Sequence, residues 1–314
     1  RQKLKEEVER LKKQIEARFN ITVEMDWLDL RLAGVPFSFP EIRLAKQAEA
    51  LETLADELEA YPKFLISKSG LQHITLSARS SSSETNHIAG FVNMGHVDSQ
   101  KRKDRSTVLI TFDWNEVSDI PTNQSDAEPS WETFTSSEMD DQRNMELKRR
   151  YKRFIHHELA HFFIDTPGSE QSPRHEEHSL LREWHDTFGL HAEVLRKLNE
   201  KGVSKKDSDP DFRSALRSTY EGFARPYGLT NDAEDRATIV EELFVDGAHE
   251  LEEHSDTLLL KKVTKLKEYY WKTSQGLMDT GYWEMVLDGS GSFQMLGRED
   301  VQKYINRRAR EIVG

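Results

Sequence analysis

Residues 154–163 read FIHHELAHFF and contain the pattern H-E-x-x-H at His157, Glu158 and His161. The apolar residues that surround the pattern favour a buried helix. An α-helix turns once in about 3.6 residues, so side chains four positions apart lie on one face. His157 and His161 can therefore offer two imidazole nitrogens to one metal ion, with Glu158 beside the first of them. The stretch predicts a helix that carries part of a metal site.

The remaining ligand of such a site must come from elsewhere in the chain. A catalytic zinc site uses three protein ligands, and the chain has no cysteine, so the third is a histidine or an acidic residue. We favour Glu234, because residues 226–228 form a Pro-Tyr-Gly turn that leads into a helix with an acidic first turn. Two further candidates are Glu242, spaced four residues from Asp246, and Glu221.

Composition excludes several classes of protein. The chain has 314 residues and a net charge of −12, and nucleic-acid binders normally carry the opposite charge. Without cysteine there is no disulfide framework, thiolate metal site or cysteine nucleophile. No apolar run approaches the ~20 residues that span a bilayer, so we expect no membrane span. The lack of cysteine fits an exported or a cytosolic protein, and we favour an exported or cell-envelope protein of a bacterium.

Hydrophobic periodicity predicts a mixed secondary structure. The predicted strands are residues 21–25, 73–77, 87–96 and 107–112. The predicted helices are residues 2–19, 40–60, 141–166, 174–201, 211–224, 232–251, 255–275 and 298–312. Thr230 or Asn231 can cap the helix that starts at 232. Helix 2–19 either packs on the domain or is the end of a longer coiled coil.

The order of these elements predicts an α+β protein of three parts. Residues 1–20 form an amphipathic helix, and residues 21–166 form an N-terminal lobe with a small mixed sheet that ends in the H-E-x-x-H helix. Residues 167–314 form a mostly helical C-terminal lobe that carries the third ligand. The aromatic residues at 162–163 are expected in the core, and those at 269–271 and 282–283 are expected either in the core or as the lining of a specificity pocket.

Two segments resemble the gluzincin branch of zinc metallopeptidases. Residues 157–161 read HELAH, and residues 227–237 read YGLTNDAEDRA. The second is similar to the segment of the anthrax lethal factor group in which a Tyr-Gly-x-Thr-Asn turn leads to a glutamate ligand, and both are similar to a group of bacterial zinc metallopeptidases. The sequence departs from that pattern at Thr238 and Ile239, where the family has a second alanine–glutamate pair.

The resemblance implies a zincin-like metallopeptidase fold and one Zn²⁺ ion held by His157, His161 and Glu234. It implies a zinc-dependent endopeptidase that cleaves a peptide or protein substrate with a metal-activated water, with Glu158 as general base and Tyr227 as the donor to the developing oxyanion. Asp235 is either an acceptor for a ligand histidine or a charge that stabilises a helix N-terminus.

Other functions remain possible on the sequence alone. One is that of a non-catalytic domain of zincin descent that binds a partner protein, and another is that of a metal-dependent hydrolase of a non-peptide amide or ester. His156 points away from the ligand face and is expected to be packed or hydrogen-bonded. The histidine and glutamate cluster at 175–191 is interpreted as a solvated helix face or, less simply, as a second metal site.

Overall fold

A computed structural model describes the fold over most of the chain. It describes residues 1–26, 40–79, 107–113, 138–165, 222–229, 231–245, 257–287 and 298–313, together with Trp184, Arg196 and Glu200. The strand predicted at 87–96 falls outside these ranges, and so does the helix predicted at 174–201 apart from those three residues. The helix predicted at 211–224 also lies outside them except at residues 222–224, which are not helical.

The described residues form eight helices and three strands. In chain order they are α1 Gln2–Phe19, β1 Thr22–Asp26, α2 Pro40–Leu58, α3 Lys63–Ser69, β2 His73–Arg79, β3 Thr107–Asp113, α4 Glu138–Ala160, α5 Asp232–Val245, α6 Thr257–Thr273, α7 Thr280–Leu287 and α8 Arg298–Val313. A π-helical turn, His161–Asp165, follows α4, and a 3₁₀ turn, Pro226–Leu229, precedes α5. The protein is thus mostly helical with a small sheet, which is compatible with the predicted α+β class.

The chain divides into two compact units, Arg1–Leu58 with Gly70–Glu158 and Glu59–Ser69 with Leu159–Gly314. The three-part division made from the sequence stays a prediction. None of the described helices combines the length and the apolar character that crossing a bilayer requires.

The first unit is built on a parallel sheet in the order β1-β2-β3. Thr22 pairs with His73 and His73 with Thr107, so the three strands start in register. Alternate residues of the strands point into the core and are fully buried: Val23, Ile74, Leu76, Val108 and Ile110. A mixed sheet was expected, but the strands within the described ranges pair only in parallel.

Helix α1 packs on α2 in the same unit. Its apolar residues recur every three or four positions, and the buried ones are Val8, Leu11, Ile15 and Phe19. Asn20 ends the helix in the left-handed region (φ 56°), and its N–H bonds to the carbonyl of Glu16 at 2.9 Å. The prediction that this helix packs on the domain is confirmed.

The second unit has an aromatic core. The Tyr61 ring lies 5.1 Å from Phe163 and 4.9 Å from Phe244, measured between ring centroids. Trp283 packs edge-on against Phe244 at 5.4 Å. The Tyr282 hydroxyl donates to the carbonyl of Ala60 at 2.5 Å, which fixes the segment before Tyr61 to α7. The core predicted at 162–163 and 282–283 is therefore confirmed.

Two unpredicted short helices and one exposed aromatic residue also distinguish the structure from the sequence-based prediction. Helices α3 and α7 were not predicted; both are short, at seven and eight residues, so their periodicity is weak. Trp271 was expected in the core but is 48% exposed. Helix α6 buries Tyr269 and Tyr270 on one side, and the next residue points about 100° further round the helix.

Candidate metal centre

Helix α4 positions the first half of the candidate site. Ile155 and Leu159 are fully buried and anchor its last turns in the core. On the neighbouring positions, His157 is 8% exposed and Glu158 is 2% exposed. The H-E-x-x-H segment thus lies on a helix, as predicted, and His157 and Glu158 are both buried.

The helix changes its winding at the second histidine. A single α-helix was expected to continue to about 166, but the π-helical turn begins at His161. Phe162, Phe163 and Ile164 of this turn are buried, and the Tyr269 hydroxyl donates to the carbonyl of Phe163 at 2.5 Å. π-Helical turns widen a helix and often mark functional positions. His161 is the first residue of this turn.

His156 is fully buried and contacts a carboxylate from α2. Its Nε2 donates to Oε2 of Glu57 at 2.8 Å, and Lys152 Nζ lies 2.9 Å from the other oxygen of the same carboxylate. The prediction that His156 is packed or hydrogen-bonded is confirmed, because it is both. The contact holds α4 to α2 one residue before His157.

Helix α5 begins with a side-chain cap that fixes Glu234. The side-chain oxygen of Asn231 accepts hydrogen bonds from the backbone N–H groups of Ala233 at 2.9 Å and Glu234 at 3.0 Å. This is the N-cap arrangement, in which a side chain satisfies N–H groups that the first turn leaves unpaired. Asn231 is thus the cap, whereas Thr230 lies outside the described residues.

His157, His161 and Glu234 come together as a group that could hold a metal ion. Each offers one ligand atom, and these atoms all lie within 4.8 Å of one another. Nε2 of His161 is 3.2 Å from Oε2 of Glu234, and the two side chains are 13% and 18% exposed. Among the described residues, the three that the sequence favoured as ligands are those that converge.

Glu242, the second candidate for the third ligand, has a different environment. It is 8% exposed, and its Oε1 lies 3.9 Å from Nε of Arg225, whose guanidinium also pairs with Glu241. It does not belong to the metal-binding group. Glu221 and Asp246 lie outside the described residues, as does the cluster at 175–191 apart from Trp184.

The turn before α5 carries Tyr227, which is 38% exposed. It is followed by Gly228, where a Cβ atom would lie 2.9 Å from Oγ1 of Thr238 and 3.3 Å from Cα of Asp235. A side chain at Gly228 would therefore push the turn away from α5. The glycine lets the turn that carries Tyr227 pack directly on the helix that carries Glu234.

Asp235 lies in the first turn of α5 and is fully buried. Its Oδ2 accepts hydrogen bonds from Lys262 Nζ at 2.7 Å and from Nε1 of Trp184 at 3.0 Å. Neither donor was predicted from the sequence. The sequence does contain one indication of Lys262: it lies on the apolar face of α6, between Leu259 and Leu266, where a charged residue is unusual.

Comparison with known proteins found no counterpart: the sequence matches no protein family, and no curated protein or solved structure matches the chain.

Proposed function

We propose that this protein is a zinc-dependent endopeptidase of the gluzincin type with a zincin-like fold. The observation that supports the proposal is the grouping of His157, His161 and Glu234, whose ligand atoms lie within 4.8 Å of one another. Two of these residues are four positions apart in the sequence, and the third comes from a separate helix. The turn at Tyr227 and Gly228 before Glu234 gives further support, because this segment resembles the corresponding one of gluzincins.

The donor set fits zinc. Two imidazole nitrogens and one carboxylate oxygen form the His₂Glu set of catalytic zinc sites, and such sites leave one position for water or substrate. Donors bound at about 2.0–2.1 Å in a tetrahedral shell lie about 3.3 Å apart. The 3.2 Å between His161 Nε2 and Glu234 Oε2 is compatible with that spacing.

In this proposal Glu158 is the general base. A bound zinc ion would supply Lewis-acid chemistry, polarising a carbonyl oxygen and lowering the pKa of water. The carboxylate of Glu158 takes the proton of the attacking water and passes it to the leaving amine. Its 2% exposure keeps bulk water away from this transfer.

Tyr227 is proposed to stabilise the developing charge. Tyr227 is 38% exposed, which is compatible with contact between its side chain and a substrate. Donation of a hydrogen bond from its hydroxyl to the former carbonyl oxygen would lower the barrier of the reaction, because the bond strengthens as the charge grows.

The test combines metal analysis with an unbiased peptide-library digest. Wild-type protein is expected to contain one zinc ion per chain and to cleave peptides. Glu158→Gln should keep the metal and lose cleavage by ~10²–10⁴-fold, since it removes proton transfer alone. Glu268→Gln is the matched control, because that side chain is 42% exposed on α6 and should leave cleavage unchanged.

Different results would point to different functions. Zinc without cleavage of any peptide, in the library or in a panel of amides and esters, would indicate a binding domain. Cleavage of the small amides or esters alone would indicate a non-peptide hydrolase. Full activity of Glu158→Gln would refute the role given to Glu158.

A further inference from the structure

Lys262 is a buried cation that contacts the residue next to the proposed ligand Glu234. Its side chain and that of Asp235 are both 0% exposed, and Nζ lies 2.7 Å from Oδ2 of Asp235. Nζ also donates to the carbonyl of Gly222 at 2.6 Å. The ammonium group lies 4.1 Å from the centre of the Phe223 ring, a distance typical of a cation–π contact.

These contacts join three separate pieces of the second unit. Lys262 belongs to α6, Asp235 belongs to the first turn of α5, and Gly222 leads into the turn that carries Tyr227. Trp184 adds a fourth piece, because its indole N–H bonds to the same Asp235 oxygen at 3.0 Å. One ammonium group therefore links the start of α5 to the chain segment in front of it.

The residue before Asp235 is Glu234, the proposed ligand. The two residues share a peptide bond in the first turn of α5, so a displacement of Asp235 also displaces the Glu234 backbone. The Cβ that Gly228 lacks would lie 3.3 Å from Cα of Asp235, which shows how closely the Tyr227 turn rests on the same point. In addition to the Asn231 cap, Asp235 therefore connects Lys262 to Glu234 through the backbone, and it lies against the turn that carries Tyr227.

We propose that Lys262 is a positioning residue for the metal centre: it fixes Asp235, and thereby the Glu234 carboxylate, in the orientation that binds the ion. This inference rests on the proposed function and assigns a role to a residue outside the ligand set. A buried carboxylate without its cation would seek water or another donor, and α5 would shift at its first turn.

The test measures metal affinity instead of turnover. Zn²⁺ affinity is determined by competition with a chromophoric chelator, at a temperature where circular dichroism shows each variant to be fully folded. Lys262→Met keeps the length and apolar stem of the side chain and removes its charge. We expect zinc to bind ~10–100-fold more weakly, the size of effect that loss of an outer-shell partner has. Lys261→Met, on the exposed neighbouring position of α6, should bind zinc like wild type.

A second variant separates positioning from simple charge balance. In Asp235→Asn/Lys262→Met no buried charge is left alone, so thermal stability should recover relative to Lys262→Met. Zinc affinity should stay low, because the link from α6 to α5 and Gly222 is still missing. The visible spectrum of bound Co²⁺ gives an independent reading, and it should change in both variants but not in Lys261→Met.

The outcomes distinguish this inference from the proposed function. If wild type binds zinc and folded Lys262→Met binds it equally well, the positioning role is wrong while the metal site stands. Equal losses in Lys261→Met would also overturn it. If Lys262→Met does not fold, the double variant decides, and wild-type affinity in that variant would refute the inference. A wild-type protein that binds no zinc would refute the proposed function itself.

Discussion

Glu234 has the environment expected of a metal ligand, whereas Glu242 has that of a paired carboxylate. Glu234 is 18% exposed with an oxygen 3.2 Å from the His161 ring, and its backbone N–H is held by Asn231. Glu242 lies two turns further along α5 beside Arg225. Burial alone would not separate these residues, because both lie in the same helix and neither is fully exposed. The two glutamates differ in their partners, because Glu234 lies beside His161 and Glu242 lies beside Arg225.

The two glutamates give a matched pair of variants. Glu234→Gln should weaken zinc binding by more than the ~10–100-fold that loss of an outer-shell partner costs, because a ligand with full negative charge is removed. Glu242→Gln should retain zinc, since Glu242 lies outside the metal-binding group and pairs with Arg225. Metal content after dialysis against a weak chelator measures both. Loss of zinc in Glu242→Gln with retention in Glu234→Gln would reverse the assignment.

At the scale of the element, the start of α5 depends on one cap. Asn231→Ala removes the acceptor for two backbone N–H groups, and a lost N-cap costs about 1 kcal/mol. We expect the free energy of unfolding to fall by about that amount, as measured by urea denaturation, with zinc affinity also reduced because Glu234 is one of the two capped residues. Asn231→Ser keeps a capping oxygen and should behave like wild type. Equal losses in the two variants would mean that the cap is not the cause.

Some features of the helices that carry the site are predictable from the sequence, and others are not. The spacing of His157 and His161 and the cap at Asn231 are local, so a short stretch of sequence is enough to predict them. The π-helical turn at His161 was not predictable, because the hydroxyl that bonds to Phe163 comes from Tyr269, 106 residues away. In the sequence, Lys262 is recognisable only as a charged residue on the apolar face of a helix. Its partner Asp235 could not be inferred from the periodicity of that helix.

At the scale of the whole molecule, and within the residues that the structure describes, the sequence predicted the positions and order of the long helices and strands more surely than the pairing of the strands. The strands at 21–25, 73–77 and 107–112 were expected close to their observed bounds, but their parallel order follows from contacts between distant residues. The contact of His156 with Glu57 is of the same kind, because the two residues are 99 positions apart in the sequence. Tyr61 likewise joins the aromatic core of the second unit from a segment far from its partners in sequence.

The most direct test of the account is crystallographic: anomalous diffraction from protein incubated with zinc, recorded on both sides of the zinc absorption edge. We predict one strong peak about 2.0–2.2 Å from a ring nitrogen of His157, a ring nitrogen of His161 and a carboxylate oxygen of Glu234. A crystal with no peak at these residues, or with its zinc held by a different set of side chains, would contradict the central claim.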